Sequence, residues 1–152
     1  MARGQFTPSS GVRWALSVRQ PWAGLLVAGI KTIELRRWAA HHRGWTLIHA
    51  AQLTTDDAEG WRHVAAAATR HPRLWELCTL RGGIIGMAEL VDCFRYTHSE
   101  QFAADGPRHL QPPEAFRPGL YGFLFRQPRP LPYYACKGQT FFFSVEGFHT
   151  HE

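Results

Sequence analysis

Lys31, Thr32, Glu34 and Arg36 form a dense polar cluster that follows directly on an apolar stretch of helical length. Together they supply a compact cation, a hydroxyl, a carboxylate acceptor and a planar fork of donors. Of 17 Lys and Arg residues in the chain, only Lys31 and Lys137 are lysines. An ammonium is smaller than a guanidinium and shifts its pKa on burial, so Lys31 could do what the abundant arginines cannot. Chance retention of two lysines is the competing reading. Were these side chains to converge, Glu34 would accept from an exocyclic amine while Lys31 or Arg36 donated to a ring carbonyl or a phosphate. Trp22 and Trp38 could stack on the face of the same base. A pyrimidine amine fits that pattern, and a purine is not excluded. In a desolvated cleft the Lys31–Glu34 pair could also move protons. It could activate water for amide hydrolysis, with Lys31 at the oxyanion or the leaving amine, or activate a 2′-hydroxyl in RNA cleavage. Against all of these stands a plain Glu34–Arg36 ion pair on one strand face, a contribution of about 0–1 kcal/mol if exposed.

The elements that must position this cluster read as follows. Residues 16–18 suggest a short strand. Pro21 is placed to open a helix over 22–28, and Gly29 to stop it. Residues 32–38 alternate as a strand, with Thr32, Glu34, Arg36 and Trp38 on one face and Ile33, Leu35 and Arg37 on the other. A turn at Arg43-Gly44 leads to a strand over 45–49. Thr54-Thr55-Asp56-Asp57 offers N-cap chemistry for a helix over about 56–69, which Pro72 closes. Residues 74–80 suggest a further helical turn or two. Gly82-Gly83 introduces a strand over 84–94, with a bulge or a close backbone approach expected at Gly86. Residues 99–118 read as the longest irregular segment. A strand over 120–125 precedes an extended linker over 127–132, and a last strand spans 139–145. About six strands and two or three helices, with strands clustered late, predict an α+β fold built on a small, strongly curved sheet or partly closed β-barrel. Residues 1–13 read as a flexible lead-in, 14–147 as one domain and 148–152 as a tail.

At 152 residues, with 45% hydrophobic and 19% charged content, the chain can bury a core without disulfides or a metal. The net charge of +5 and a pI near 9.6 favour a polyanionic partner, although an arginine-rich composition alone yields the same balance. Cys78, Cys93 and Cys136 are odd in number and lack metal-ligand spacing, so buried thiols in a reducing compartment are expected. The first residues contain no apolar stretch of signal-peptide type, and no apolar run approaches the ~20 residues that span a bilayer. A cytoplasmic location without a membrane partner is expected. The nine histidines form no ligand-spaced set apart from His149-Thr150-His151, so no metal and no cofactor is expected. His49, at a strand end, is either a cleft residue or a half-buried imidazole with a satisfied hydrogen bond. Lys137 either closes the site from the far side or is an exposed turn lysine.

Leu16-Ser17, Gln20-Pro21-Trp22-Ala23 and Gly29-Ile30-Lys31-Thr32-Ile33-Glu34-Leu35-Arg36 resemble the signature of the ASCH-domain family, a branch of the PUA-like superfamily. The family pattern Gly-x-Lys-x-x-Glu-x-Arg is present at all four positions. Further blocks follow in the family's order. They are Arg43-Gly44 with Leu47-Ile48-His49-Ala50, then Gly86-Met87-Ala88-Glu89-Leu90-Val91-Asp92-Cys93, Tyr121-Gly122-Phe123 and Lys137-Gly138-Gln139. The resemblance covers roughly residues 15–146. It implies a PUA-like β-barrel with a cleft lined by the signature, and binding of RNA or a modified base. It also admits activity, since some members are ribonucleases and one subgroup hydrolyses N4-acetylcytidine. That subgroup uses the signature Lys, a Thr three residues later and a distant Glu. Here the Lys is Lys31 but the Thr position holds Glu34, so that nucleophile is missing. Thr32 falls on the opposite strand face from Lys31, and Glu89 is the position considered for the distant Glu.

The resulting expectation is a domain that binds RNA or a modified nucleoside, with DNA as a further possible partner. The expected ligand contacts are Gln20, Pro21, Trp22, Lys31, Thr32 and Glu34, then Arg36, Trp38, His49, Glu89 and Lys137. A small amidohydrolase or ribonuclease with Lys31 and Glu34 as its catalytic pair is the first alternative. A module that binds a protein partner is the second.

Overall fold

The computed structural model describes residues 12–53 and 57–146. Residues 1–11 of the expected lead-in, Thr54 to Asp56 of the expected N-cap, and the expected tail therefore lie outside the described residues. In chain order the elements are β1 (Trp14–Val18), α1 (Trp22–Val27), β2 (Ile33–Arg36), β3 (Gly44–Ala50), α2 (Ala58–Ala67) and α3 (Leu74–Thr79). They continue with β4 (Gly83–Arg95), α4 (Ser99–Ala104), α5 (Gly106–His109), a 3₁₀ turn (Pro113–Ala115), β5 (Tyr121–Ala135) and β6 (Phe142–Ser144).

Every residue of α1 is buried, as a helix wedged between sheet and helices must be. Gln20 fixes its entry: the side-chain carbonyl accepts the Gly24 N–H at 2.9 Å, and the amide donates to the Leu77 and Leu80 carbonyls at 2.6 and 2.9 Å. Close approach to α3 requires glycine at 24, because a Cβ there would sit 2.5 Å from Cys78 Sγ. Gly29 stops the helix in the left-handed region at φ +80, and the Ile30 and Lys31 N–H groups return to the Leu25 carbonyl at 3.0 and 3.1 Å. The glycine turn thus aims the chain directly into β2.

The six strands form one mixed sheet in the order β2-β5-β4-β3-β1-β6, with β1 parallel to β3 and the other pairs antiparallel. It curls without closing into a barrel: β2 and β6 are edges with no ladder between them. Side chains span the gap instead. Arg36 of β2 donates to the Ser17 carbonyl of β1 at 2.9 Å, and Trp38 meets Phe142 of β6 edge-on at 5.7 Å. Phe123 stacks on Phe142 at 6.0 Å.

Gly86 shows both features expected of it. The β4 register shifts between Ile84 and Gly86, and a Cβ at Gly86 would lie 2.6 Å from both the Arg129 carbonyl and Val27 Cγ2. Other expectations need correction. Residues 99–118 are not irregular but carry α4, α5 and the 3₁₀ turn, organised around buried Phe102 and His109. Helices among the described residues therefore number five rather than two or three. Residues 127–132 are not a linker but the middle of β5, which pairs there with β4 alone. Prolines 128, 130 and 132 recur at every second position, so their missing N–H groups fall on the edge that β2 leaves free. The strands expected over 32–38 and 139–145 shorten to β2 and β6, the latter because Phe141 turns the chain at φ +63. Residues 12 and 13 are tied to the sheet, the Val145 N–H donating to the Arg13 carbonyl at 2.8 Å. Among the described residues, no helix is long and apolar enough to cross a membrane.

Gly86→Ala is expected to lower unfolding stability by about 1–3 kcal/mol, because neither the Arg129 backbone nor Val27 on α1 can move freely. A urea-unfolding midpoint equal to wild type would contradict that packing.

Candidate functional site

The turn after α1 places Lys31 where it is only 3% exposed. Its ammonium donates to the His109 carbonyl on α5 at 2.9 Å, lies 3.6 Å from Glu34 Oε1, and sits 4.7 Å over the Trp22 ring. Glu34 in turn receives Arg36 Nε at 3.0 Å on its other oxygen. One carboxylate thus joins two cations, and the chain of charges links α5, β2 and, through Arg36, the Ser17 carbonyl of β1. Burial pushes the Lys31 ammonium below its ordinary value; Glu34 and Asp57 oppose that shift, and Arg36 reinforces it. His109 is set from both sides. The Gln111 N–H donates to Nδ1 at 3.1 Å, which leaves Nε2–H to donate to the Phe102 carbonyl at 2.7 Å. Burial holds this imidazole neutral, with its pKa below the usual histidine value.

Beside this network a cleft of about 820 Å³ opens against β1, the end of β3 and the segment 136–141. Arg19, Arg36 and Lys137 bring positive charge to its lining, and Glu34 is the carboxylate among them. Arg36 uses two of its five N–H groups on Glu34 and Ser17. Trp38 and Phe141 form an aromatic wall, 4.8 Å apart and edge-on, with Phe141 54% exposed. The same two residues also line a neighbouring apolar pocket of about 450 Å³ with Trp14, His42 and Phe142.

His49 is a cleft residue and a hydrogen-bonded imidazole at once. Its Nε2 bonds the Cys136 carbonyl at 2.8 Å and its Nδ1 meets Ser17 Oγ at 3.0 Å. Burial depresses its pKa, and the Cys136 carbonyl partly offsets this. Of the expected ligand contacts, Trp22, Glu34, Arg36, Trp38, His49 and Lys137 line the cleft. Five others are placed elsewhere. Gln20 is fully buried with its amide engaged by backbone, and Pro21 packs against Gly60 of α2. Lys31 is enclosed by His109, Glu34 and Trp22 and is not in the lining. Thr32 joins α5 to β5 through its backbone, and Glu89 pairs with Arg126 at 3.1 Å across the β4–β5 ladder. Trp22 is not free to stack on a base, since it is 9% exposed and carries the Lys31 ammonium on its ring.

Ser17, Arg19, Gly138 and Phe141 also line the cleft, and residue-type reasoning did not select them. Ser17 and Gly138 fall inside motif blocks, but their convergence depends on strand pairing. Among the described residues no group of three or more His, Cys, Asp or Glu is placed to hold a metal ion.

A curled mixed sheet with short flanking helices and a signature-lined cleft is an α+β fold of the PUA-like class. Within it the chain belongs to the ASCH domain family, whose model matches residues 16–128. Activating signal cointegrator 1 of Homo sapiens is 34% identical over 96 residues, and that of Mus musculus 33% over 96 residues. Each match covers 59% of this chain and 16% of the relative, so the chain spans about a sixth of the length of those curated relatives. The crystal structure of ASCH from Zymomonas mobilis superposes with a TM-score of 0.58 at 14% identity, covering 88% of this chain and 87% of that one. A serine-to-alanine mutant of the same Zymomonas mobilis protein superposes with the same score over 93% and 92%. At that identity the likeness shows the fold.

Glu34→Ala leaves the buried Lys31 ammonium without its anion and releases the half-buried Arg36, and is expected to cost about 3–5 kcal/mol in chemical denaturation. A loss below about 1 kcal/mol would place the network in the weak, exposed class. A second expectation concerns pH. His42, His49 and His109 all have folded-state pKa values below the usual 6.5, burial being the largest cause. The unfolded chain therefore binds protons first as pH falls. Their contribution is complete above pH 6.5 and is lost as pH drops through the folded values. Melting temperature should fall on acidification below that point, and less steeply in His109→Gln. A flat profile would show that these imidazoles protonate freely in the folded state.

Proposed function

We propose that the cleft binds RNA or a modified nucleoside, with phosphate held at the cationic rim and a base against Trp38 and Phe141. The observation that supports this most is the convergence of Arg19, Arg36 and Lys137 with an exposed aromatic wall around one cavity of about 820 Å³. Arginine forks and a free-standing lysine suit phosphate oxygens, and a half-exposed ring offers a stacking face that tolerates any base. Glu34 lines the cleft with little exposure, each oxygen facing a cation, and its remaining lone pairs are the acceptor for an exocyclic amine. Membership in the ASCH family favours the same reading. DNA shares the phosphate chemistry and is the natural competitor in any assay. A reducing, cytoplasmic setting belongs to the proposal, on the free thiols of Cys78, Cys93 and Cys136.

A short fluorescent RNA should bind with an affinity that falls linearly in log–log against salt, because phosphate contacts release counterions. Lys137→Ala should reduce the salt slope by about one and weaken all sequences alike. Affinity indifferent to salt and to Lys137→Ala would remove the nucleic-acid reading and favour a protein partner.

A further inference from the structure

We propose that Ser17 and His49 form a nucleophile–base pair, and that the cleft carries out serine-type acyl transfer on an oxygen ester. The ester's acyl group would be carried on a nucleoside, and only that part of the proposal rests on the function proposed above; the pair stands on its own geometry. Ser17 Oγ lies 3.0 Å from His49 Nδ1, and both side chains line the cleft. The Cys136 carbonyl, 2.8 Å from Nε2, accepts only a proton, so it fixes the tautomer with hydrogen on Nε2 and a lone pair on Nδ1. The serine hydroxyl therefore donates to Nδ1, the arrangement in which a base activates a nucleophile and a third group orients the base. His49 is 1% exposed while Ser17 is half-buried, which shields the base and leaves the hydroxyl at the cleft surface. Burial lowers the imidazole's pKa, so it rests neutral with its Nδ1 lone pair free for the hydroxyl, and the Cys136 carbonyl restores part of its basicity.

Gly138 passes close against the pair, and only the absence of a side chain leaves room there. A Cβ there would stand 2.8 Å from Ser17 Oγ and 2.7 Å from His49 Cε1. Arg36 and Lys137 line the same cavity, so cations are available to a developing oxyanion or to an anionic substituent of the substrate. Arg36 also grips the Ser17 carbonyl at 2.9 Å and so positions the nucleophile's backbone.

The step balances with water alone. Ser17 Oγ bonds to the acyl carbon while its proton passes to His49 Nδ1, and the imidazolium keeps its Nε2–H on the Cys136 carbonyl. The carbon–oxygen bond of the ester breaks, and Nδ1 returns the proton to the departing alcohol. Water then attacks the acyl-serine, giving its proton to Nδ1, and Ser17 leaves with that proton as the free acid is released. A neutral carbonyl stabilises an imidazolium less than a carboxylate does, which suits this pair to esters rather than to the less reactive amides.

The rival explanation is a structural hydrogen bond between register neighbours, since Ser17 pairs with His49 across β1 and β3. Treating the whole chain with a fluorophosphonate probe, and separately with p-nitrophenyl acetate, separates the two. The proposal expects a single adduct mapping to Ser17, absent in Ser17→Ala and formed about a hundredfold more slowly in His49→Gln. It also expects slower labelling in Gly138→Ala, which keeps both reacting groups but drives a methyl against Ser17 Oγ and the His49 ring. Circular dichroism melts show that each variant is folded before its result is read. No adduct on folded wild type, an adduct elsewhere, or labelling as fast without His49 would overturn the proposal. RNA binding is read in parallel: labelling without binding supports the pair and removes the nucleic-acid reading. Binding with no labelling overturns the pair alone.

Discussion

One buried carboxylate, shared by two cations, holds this fold in its working shape. Glu34 contacts Lys31 on one oxygen and Arg36 on the other, and each cation carries a second bond to a distant backbone carbonyl. Lys31 anchors α5 through His109, and Arg36 anchors β1 through Ser17. Buried charges of this kind add little net stability, because desolvation cancels much of the Coulomb attraction. Their use here is geometric. The sheet has two unpaired edges, and the Glu34–Arg36 arm ties β2 across the gap to β1, past the residues that β6 covers, without a ladder.

Leaving the sheet open has a consequence for chemistry. A closed barrel would bury the ends of β1 and β3 under hydrogen-bonded backbone. The gap instead leaves Ser17 and Arg36, with the buried His49 behind Ser17, beside a cavity lined by the segment from Cys136 to Phe141. An aromatic cluster of Trp38, Phe123, Phe141 and Phe142 fills the part of the gap that the ion chain does not. The aromatic rings close the structure and also furnish one wall of the cleft. The fold and the site therefore draw on the same residues.

Much of this was legible in local pattern, and the remainder failed for identifiable reasons. Pro21 and Gly29 bracket α1 by backbone preference alone, and the glycine at 86 marks a real register shift. The spacing of Lys31, Glu34 and Arg36 pointed to a cluster, but not to which member faces the cavity. That depends on α5, whose Gly106-Pro107-Arg108-His109 sequence reads as a loop and folds as a helix because Phe102 and His109 are buried beneath it. Prolines at every second position of β5 read as a linker, since only the sheet order shows that one edge of that strand is free. Gln20 and Ser17 show the same limit. Their partners are Leu77 and Leu80 for one and His49 for the other, far along the chain, and no local periodicity encodes them.

The most direct test is an amide-resolved NMR titration of the whole chain with a short single-stranded RNA. The account predicts shifts concentrated at Arg19, Arg36, Lys137, Gly138 and Phe141, the residues that ring the cavity. Shifts confined instead to the stacked Trp61–Trp75 pair on α2 and α3, with the cleft silent, would contradict it.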